Sequence, residues 1–225
     1  MAGAGESSAA RGVVAEVEDL WKTYDGSTWV LRGISFAVSP GEFLLIVGDN
    51  GSGKTTLLKI IAGLLKPTRG RVMVCGRPPT DIEAKRCMGV VLHGTMLYDE
   101  LTVRENLELY AALSGTSLKS IELSMKMLGL DERMNQAAGW LSYGWRRRAD
   151  TARALLGRPR LLLIDEPLSG LDPASSERTL SILVGLAKAG AAIIATSPRR
   201  DSALESVATR VALLSDGKIV WEDRG

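Results

Sequence analysis

The sequence predicts an α/β domain on a mainly parallel sheet, with an antiparallel β unit near its N-terminal end and a helical segment inserted midway. Three observations carry this. The apolar run Phe43–Val47 leads into the glycine-rich turn Gly48-Asp-Asn-Gly-Ser-Gly-Lys54-Thr55-Thr56, and helically spaced apolar residues then continue to Ala62. A second apolar run, Leu161–Ile164, ends on Asp165-Glu166-Pro167. Between them, from Val103 to Leu156, strand-like runs vanish and helical spacing dominates.

Residues 1–12 are small and polar with one arginine, the composition of a disordered tail rather than a signal peptide. Residues 13–225 form the folded domain. Val13–Trp21 and Trp29–Val38 are β-rich and flank the turn signal Asp25-Gly26, which reads as an antiparallel pair. Short strands are expected at Phe43–Val47, Arg71–Cys75 and Met88–Leu92. The helical insert occupies about 94–156, with Leu107, Leu109, Leu113, Ile121, Leu123, Met127 and Leu128 as packing positions of two or three helices. Strand–helix alternation resumes at Leu161–Asp165, Ser175–Lys188 and Ala191–Thr196. The end reads as two strands, Val211–Leu214 and Ile219–Trp221, joined at Asp216-Gly217.

Composition excludes several classes. A formal charge of +2 over 225 residues gives no electrostatic footprint for nucleic acid. No apolar run approaches the roughly 20 residues that span a bilayer, so a membrane role needs another polypeptide. Cys75 and Cys87 lack metal or redox spacing; a reduced compartment and a structural role are expected, with a bridge left open.

Residues 48–55 fit G-x-x-x-x-G-K-[ST] at every fixed position, between a strand and a helix. Such a turn aims backbone N–H groups inward, and the helix N-terminus adds about half a positive charge. Polyphosphate is the ligand this suits. Gly48, Asp49, Asn50, Gly51, Ser52, Gly53 and Thr56 supply the cradle, Lys54 reaches the terminal phosphates, and the Thr55 hydroxyl suits Mg²⁺. Asp165 and Glu166 end a buried strand, where ligands of parallel sheets gather. Asp165 fits the Mg²⁺ shell, and Glu166 can polarise an attacking water. Ahead of them, Leu141-Ser142-Tyr143-Gly144-Trp145 opens a helix and runs into Arg146, Arg147 and Arg148; a triple arginine in such a place reads as a solvated face.

The order of these pieces resembles the ATP-binding subunits of ABC transporters, from about Val14 to Trp221. The resemblance implies a P-loop NTPase fold, with ATP as ligand and Mg²⁺ as cofactor. Tyr24 would stack on adenine, and Ser142 with Gly144 would contact the γ-phosphate held by a second subunit. Asp172, in Ser169-Gly-Leu-Asp172, would communicate across that dimer. Integral membrane permease subunits at the cytoplasmic face of the membrane are the implied partners, and nucleic acid is not. Three departures from the family pattern, at four positions, matter. Tyr143 and Trp145 replace a glycine and a glutamine of the signature loop, and His93 stands where a Mg²⁺-sensing glutamine is usual. Ser197 stands where a switch histidine touches the γ-phosphate, which implies slow or partner-dependent turnover.

Leu92–Leu107, with His93 followed by Leu97-Tyr98-Asp99-Glu100, resembles the haem-exporter ATPase of cytochrome c maturation. Multidrug or polysaccharide exporters form the alternative. Further classes are a non-transport ABC ATPase acting on ribosomes or DNA, and a non-hydrolysing regulatory subunit.

Overall fold

The computed structural model describes residues 12–222; the expected tail, apart from Gly12, lies outside them. Strand β1 (Ala15–Thr23) pairs antiparallel with β2 (Trp29–Val38). In the turn between them, Asp25 accepts from the backbone N–H groups of Thr28 and Ser27 and from the Thr23 hydroxyl. Those bonds hold its carboxyl well below the usual range. Strand β3 (Phe43–Val47) is buried along its whole length. Its side chains alternate: Leu44 and Ile46 enter one apolar cluster, and Phe43, Leu45 and Val47 enter another on the opposite face. An unbroken apolar run is what a strand covered on both faces requires.

Helix α1 (Lys54–Ile61) follows the glycine-rich turn and packs Leu57, Leu58, Ile60 and Ile61 into the first cluster. Strand β4 (Arg69–Val74) then joins β1 antiparallel, giving a three-stranded sheet in the order β2-β1-β4. The short helix α2 (Ile82–Arg86), capped by Asp81, precedes β5 (Met88–Val91). Three helices follow: α3 (Val103–Ser114), α4 (Leu118–Leu128) and α5 (Tyr143–Leu155). Leu107, Ile121, Met125, Leu128 and Ala152 gather them around a third apolar cluster. A capping box between Thr102 and Glu105 starts α3.

The remaining elements are β6 (Leu161–Ile164), α6 (Pro173–Lys188), β7 (Ala192–Ser197), α7 (Ser202–Val207), β8 (Arg210–Ser215) and β9 (Lys218–Trp221). The large sheet runs β5-β6-β7-β3-β8-β9, parallel throughout except for the last hairpin. That hairpin turns at Asp216 and Gly217, both with positive φ, as a two-residue loop demands. The parallel strands put the loops after β3, β6 and β7 along one edge, which is where the site forms. Cys75 and Cys87 are both free thiols. They lie against each other, and burial together with the Cys87 thiol pushes Cys75 up to about 12.

Candidate functional site

The turn after β3 is shaped by glycines that no other residue can replace. A Cβ at Gly48 would collide with the Leu214 carbonyl oxygen and lie 2.7 Å from Ser52 Oγ. Gly53 sits at φ +105°, and a Cβ there would meet Leu31 Cδ2 at 2.9 Å. As the N-cap of α1, Gly53 supplies no side-chain acceptor, and no acid stands in the first turn. The helix N-terminus therefore keeps its N–H groups for an anion. Ser52 Oγ is buried with no hydrogen-bond partner among the described residues, a further polar group the cradle holds in reserve.

Lys54 is only 5 % exposed and folds back onto its own loop, donating to Gly48 O at 2.6 Å and Asp49 O at 2.9 Å. Burial pulls its pKa down, while Glu166, Asp165 and Asp49 push it up. A phosphate would replace the two carbonyls with a full counter-charge. Tyr24, Asn50, Gly51, Gly53, Thr55, Thr56 and Glu166 line a 340 Å³ cavity with Lys54. Tyr24 is 64 % exposed there, its hydroxyl 3.2 Å from Thr56 Oγ1 and Lys22 Nζ 5.0 Å from its ring centroid.

Thr55 Oγ1 donates to Asp165 Oδ2 at 2.7 Å. Two residues 110 apart in sequence thus present adjacent oxygens, a hydroxyl and a carboxylate, at the start of α1. This donor pair fits Mg²⁺, which takes few protein ligands and completes its shell with phosphate and water. No group of three or more His, Cys, Asp or Glu side chains placed to hold a metal ion exists among the described residues. His93, exposed in the loop after β5, is accordingly not brought into an acidic cluster.

Thr196, at the end of β7, locks the acids in place. Its hydroxyl donates to Asp165 Oδ1 and accepts from the Glu166 N–H at 3.1 Å. Glu166 has φ +49°, a left-handed conformation that costs a non-glycine residue about 1–2 kcal/mol. Its carbonyl is held by the Ser169 N–H at 3.1 Å. Ser197 is buried, and its hydroxyl donates to Arg199 O at 2.6 Å. That hydroxyl is spent on the loop's own backbone.

Ser142 and Gly144 lie elsewhere, at the start of α5, outside the cavity that holds Lys54. Ser142 is the N-cap, yet its side chain makes no cap bond. Tyr143 lies over Gly170, where a Cβ would come 2.9 Å from the ring; one at Gly144 would sit 3.7 Å from Leu171 Cδ2. The carboxylate of Asp172 is occupied as the N-cap of α6, accepting from Ser175 N at 2.9 Å and Ser175 Oγ at 2.6 Å. Those bonds lower its pKa.

The expected solvated arginine face is overturned. Arg147 is 3 % exposed and donates to the carbonyls of Leu92, Asp165 and Glu166. Arg146 pairs with Asp99, and the Arg148 guanidinium lies 3.7 Å from the Trp145 ring centroid. A legible signal existed. Positions 147, 150, 151, 154 and 155 form one buried stripe of α5, but its polar members hide it from an apolar-periodicity count.

A glycine cradle, a buried lysine and a hydroxyl–carboxylate pair at strand ends define a P-loop nucleotide-binding domain. The family model for ABC transporters matches residues 31–169, and the chain belongs to that family as an ATP-binding domain. It is 36 % identical over 215 residues to Nod factor export ATP-binding protein I of Rhizobium etli, covering 93 % of this chain and 67 % of that protein. An uncharacterized ABC transporter ATP-binding protein of Methanocaldococcus jannaschii is 33 % identical over 91 % of this chain and 97 % of its own length. The solved dimer of MJ0796, a bacterial ABC transporter cassette, superposes with a TM-score of 0.86 at 29 % identity, over 94 % of this chain and 99 % of that one.

Proposed function

We propose that the chain binds Mg-ATP in the Lys54 cavity, hydrolyses it as one half of a head-to-tail dimer, and powers separate integral membrane subunits from the cytoplasmic face of the membrane. The observation that carries this is the 2.7 Å contact of Thr55 with Asp165, beside Lys54 and Glu166. In the reaction a water oxygen bonds to the γ-phosphorus and the β–γ bridging oxygen leaves with ADP. Glu166 takes the water proton and passes it to solvent. Lys54 and the α1 N-terminus hold the phosphates, while Thr55 and Asp165 would hold Mg²⁺, which would supply charge neutralisation for the phosphates. Tyr24 flanks the cavity as an adenine platform.

The unspent Ser142 hydroxyl, away from the chain's own cavity, supports a role towards a partner's nucleotide. MJ0796 has been solved as a dimer and in a post-hydrolysis state with ADP and Pi. Among the described residues no helix is long and apolar enough to cross a membrane, which agrees with separate membrane subunits. For the cargo, the stretch from Leu92 to Leu107 favours haem export, whereas the Nod factor relative favours export of another substrate. Identifying the membrane protein that copurifies with the chain decides between them.

Nucleotide titration and size exclusion test the core of the proposal. Lys54→Ala should lose tight ATP binding, because the buried cation facing the terminal phosphates is gone. Glu166→Gln should retain Mg-ATP and accumulate as a dimer. If Lys54→Ala dimerises with ATP as readily as Glu166→Gln, the assigned roles are wrong.

A further inference from the structure

We propose that Arg199 is a catalytic residue of this chain, reaching the terminal phosphate of ATP as it is transferred to water. The assignment rests on the nucleotide reading above and adds a residue to it. Arg199 lines a 610 Å³ cavity with Glu166, Asp49, Asn50 and Ser197, and is the one cation among the residues that line it. It also borders the neighbouring 680 Å³ cavity, whose wall includes Gly48, Gly51 and Ser52. Arg199, an exposed residue, therefore stands on the loop that borders one cavity with the phosphate-binding turn and the attacking-water residue.

Its side chain is also uncommitted. The next residue, Arg200, is tied to Glu205 and Glu222. Arg199 makes no ion pair, side-chain hydrogen bond or ring contact among the described residues, although Glu166 and Asp49 border the same cavity. Asp201, the remaining acid on that wall, spends its carboxylate on the N–H groups of Ala203 and Leu204. The backbone beneath Arg199 is fixed, since its carbonyl accepts from the Ser197 hydroxyl at 2.6 Å and Pro198 restricts the residue between them.

A free cation that borders an anion-binding turn beside three acids is placed to meet charge that develops on the terminal phosphate only as it is transferred. During hydrolysis negative charge spreads over the γ-phosphoryl oxygens as the bridging bond breaks, and a planar guanidinium can hold two of them at once. The hydroxyl of Ser197 cannot do this, because it already bonds within the loop. The geometry thus places the missing positive group two residues beyond the position where the family carries a histidine.

The test is phosphate release by the full chain at saturating Mg-ATP, with a parallel titration using a fluorescent ATP analogue. Arg199→Ala should lower turnover by about 10²–10³-fold, the cost of one preorganised transition-state contact, while affinity changes less than about threefold. Arg199→Lys should restore part of the rate, keeping charge without the fork. Arg200→Ala should match the wild type, and Ser197→His placed in Arg199→Ala should recover turnover. An Arg199→Ala rate within about twofold of wild type, or an equal loss in Arg200→Ala, overturns the assignment of Arg199 alone. Failure of the wild-type chain to bind the ATP analogue would instead overturn the nucleotide reading itself.

Discussion

The strand-end site and the start of α5 are built on opposite principles. Around Asp165 nearly every polar group is already paired within the chain: Thr55 and Thr196 hold its two oxygens, and Thr196 also fixes the Glu166 N–H. At α5 the groups of interest are left open, since Ser142 caps nothing and Tyr143 is half exposed over Gly170. A site that must be ready when ATP arrives is preorganised inside one chain. Under the proposed dimer, groups offered to a second molecule would be left open by the first. Arg147 bridges the two regions, because it stands one turn into α5 and grips the carbonyls of Asp165 and Glu166.

That bridge offers the sharpest way to break the comparison. Arg147→Ala should destabilise the fold by roughly 2–4 kcal/mol, because buried carbonyls of Leu92 and Asp165 lose their guanidinium donor. Arg146→Ala removes a partly exposed pair with Asp99 and a hydrogen bond to the Thr95 hydroxyl, and should cost roughly 0–1 kcal/mol. Urea unfolding of both variants reads the contrast. Equal effects would mean that α5 is not anchored to the acid-bearing strand through Arg147.

The contact between Tyr143 and Gly170 comes next in size. Gly170 has φ +69°, so Gly170→Ala should cost about 1–2 kcal/mol from the backbone alone. The new methyl would also press on the Tyr143 ring, adding about 1 kcal/mol of overpacking. A double-mutant cycle separates the two contributions. In a Tyr143→Ala background, Gly170→Ala should retain the backbone penalty and lose the steric one. A cycle with no coupling would show that the ring does not rest on this loop.

Legibility in the sequence follows the same division. The phosphate turn was readable because sterics leave only glycine at positions 48 and 53, and chemistry leaves only lysine at 54. Phe43–Val47 and Leu161–Ile164 were readable because strands buried on both faces need unbroken apolar runs. Less could be seen where the reason for a residue lies far away in the chain. Arg147 looked like solvent-facing charge, since its carbonyl partners stand 18 to 55 residues away. The helices α2 and α7, of five and six residues, are too short to show a period and announce themselves only through the caps Asp81 and Asp201. Strand β4 could be recognised as a strand, but its antiparallel pairing with β1 depends on register that a single run does not encode. Cys75 and Cys87 showed no spacing that foretold their contact.

The smallest expected effect concerns Asp172, the N-cap of α6. Its carboxylate accepts from the Ser175 hydroxyl and N–H, and these bonds hold its pKa below the ordinary 3.8. A folded-state pKa lower than the unfolded one means that the ionised form stabilises the native state. The gain is fully present above about pH 4 and is lost as pH falls through the folded value. Asn also caps helices well but carries no charge to titrate. Wild type should therefore exceed Asp172→Asn in thermal stability near neutral pH, by a margin that shrinks as buffers step from about pH 6 to about pH 3. The resemblance to ABC ATPases gives the same residue a role across the dimer, and the variant separates the two roles. If Asp172→Asn changes the acid profile and leaves ATP-driven dimerisation of Glu166→Gln intact, the carboxylate serves the cap. A margin that stays flat with pH, together with impaired dimerisation, would move its role to the subunit interface.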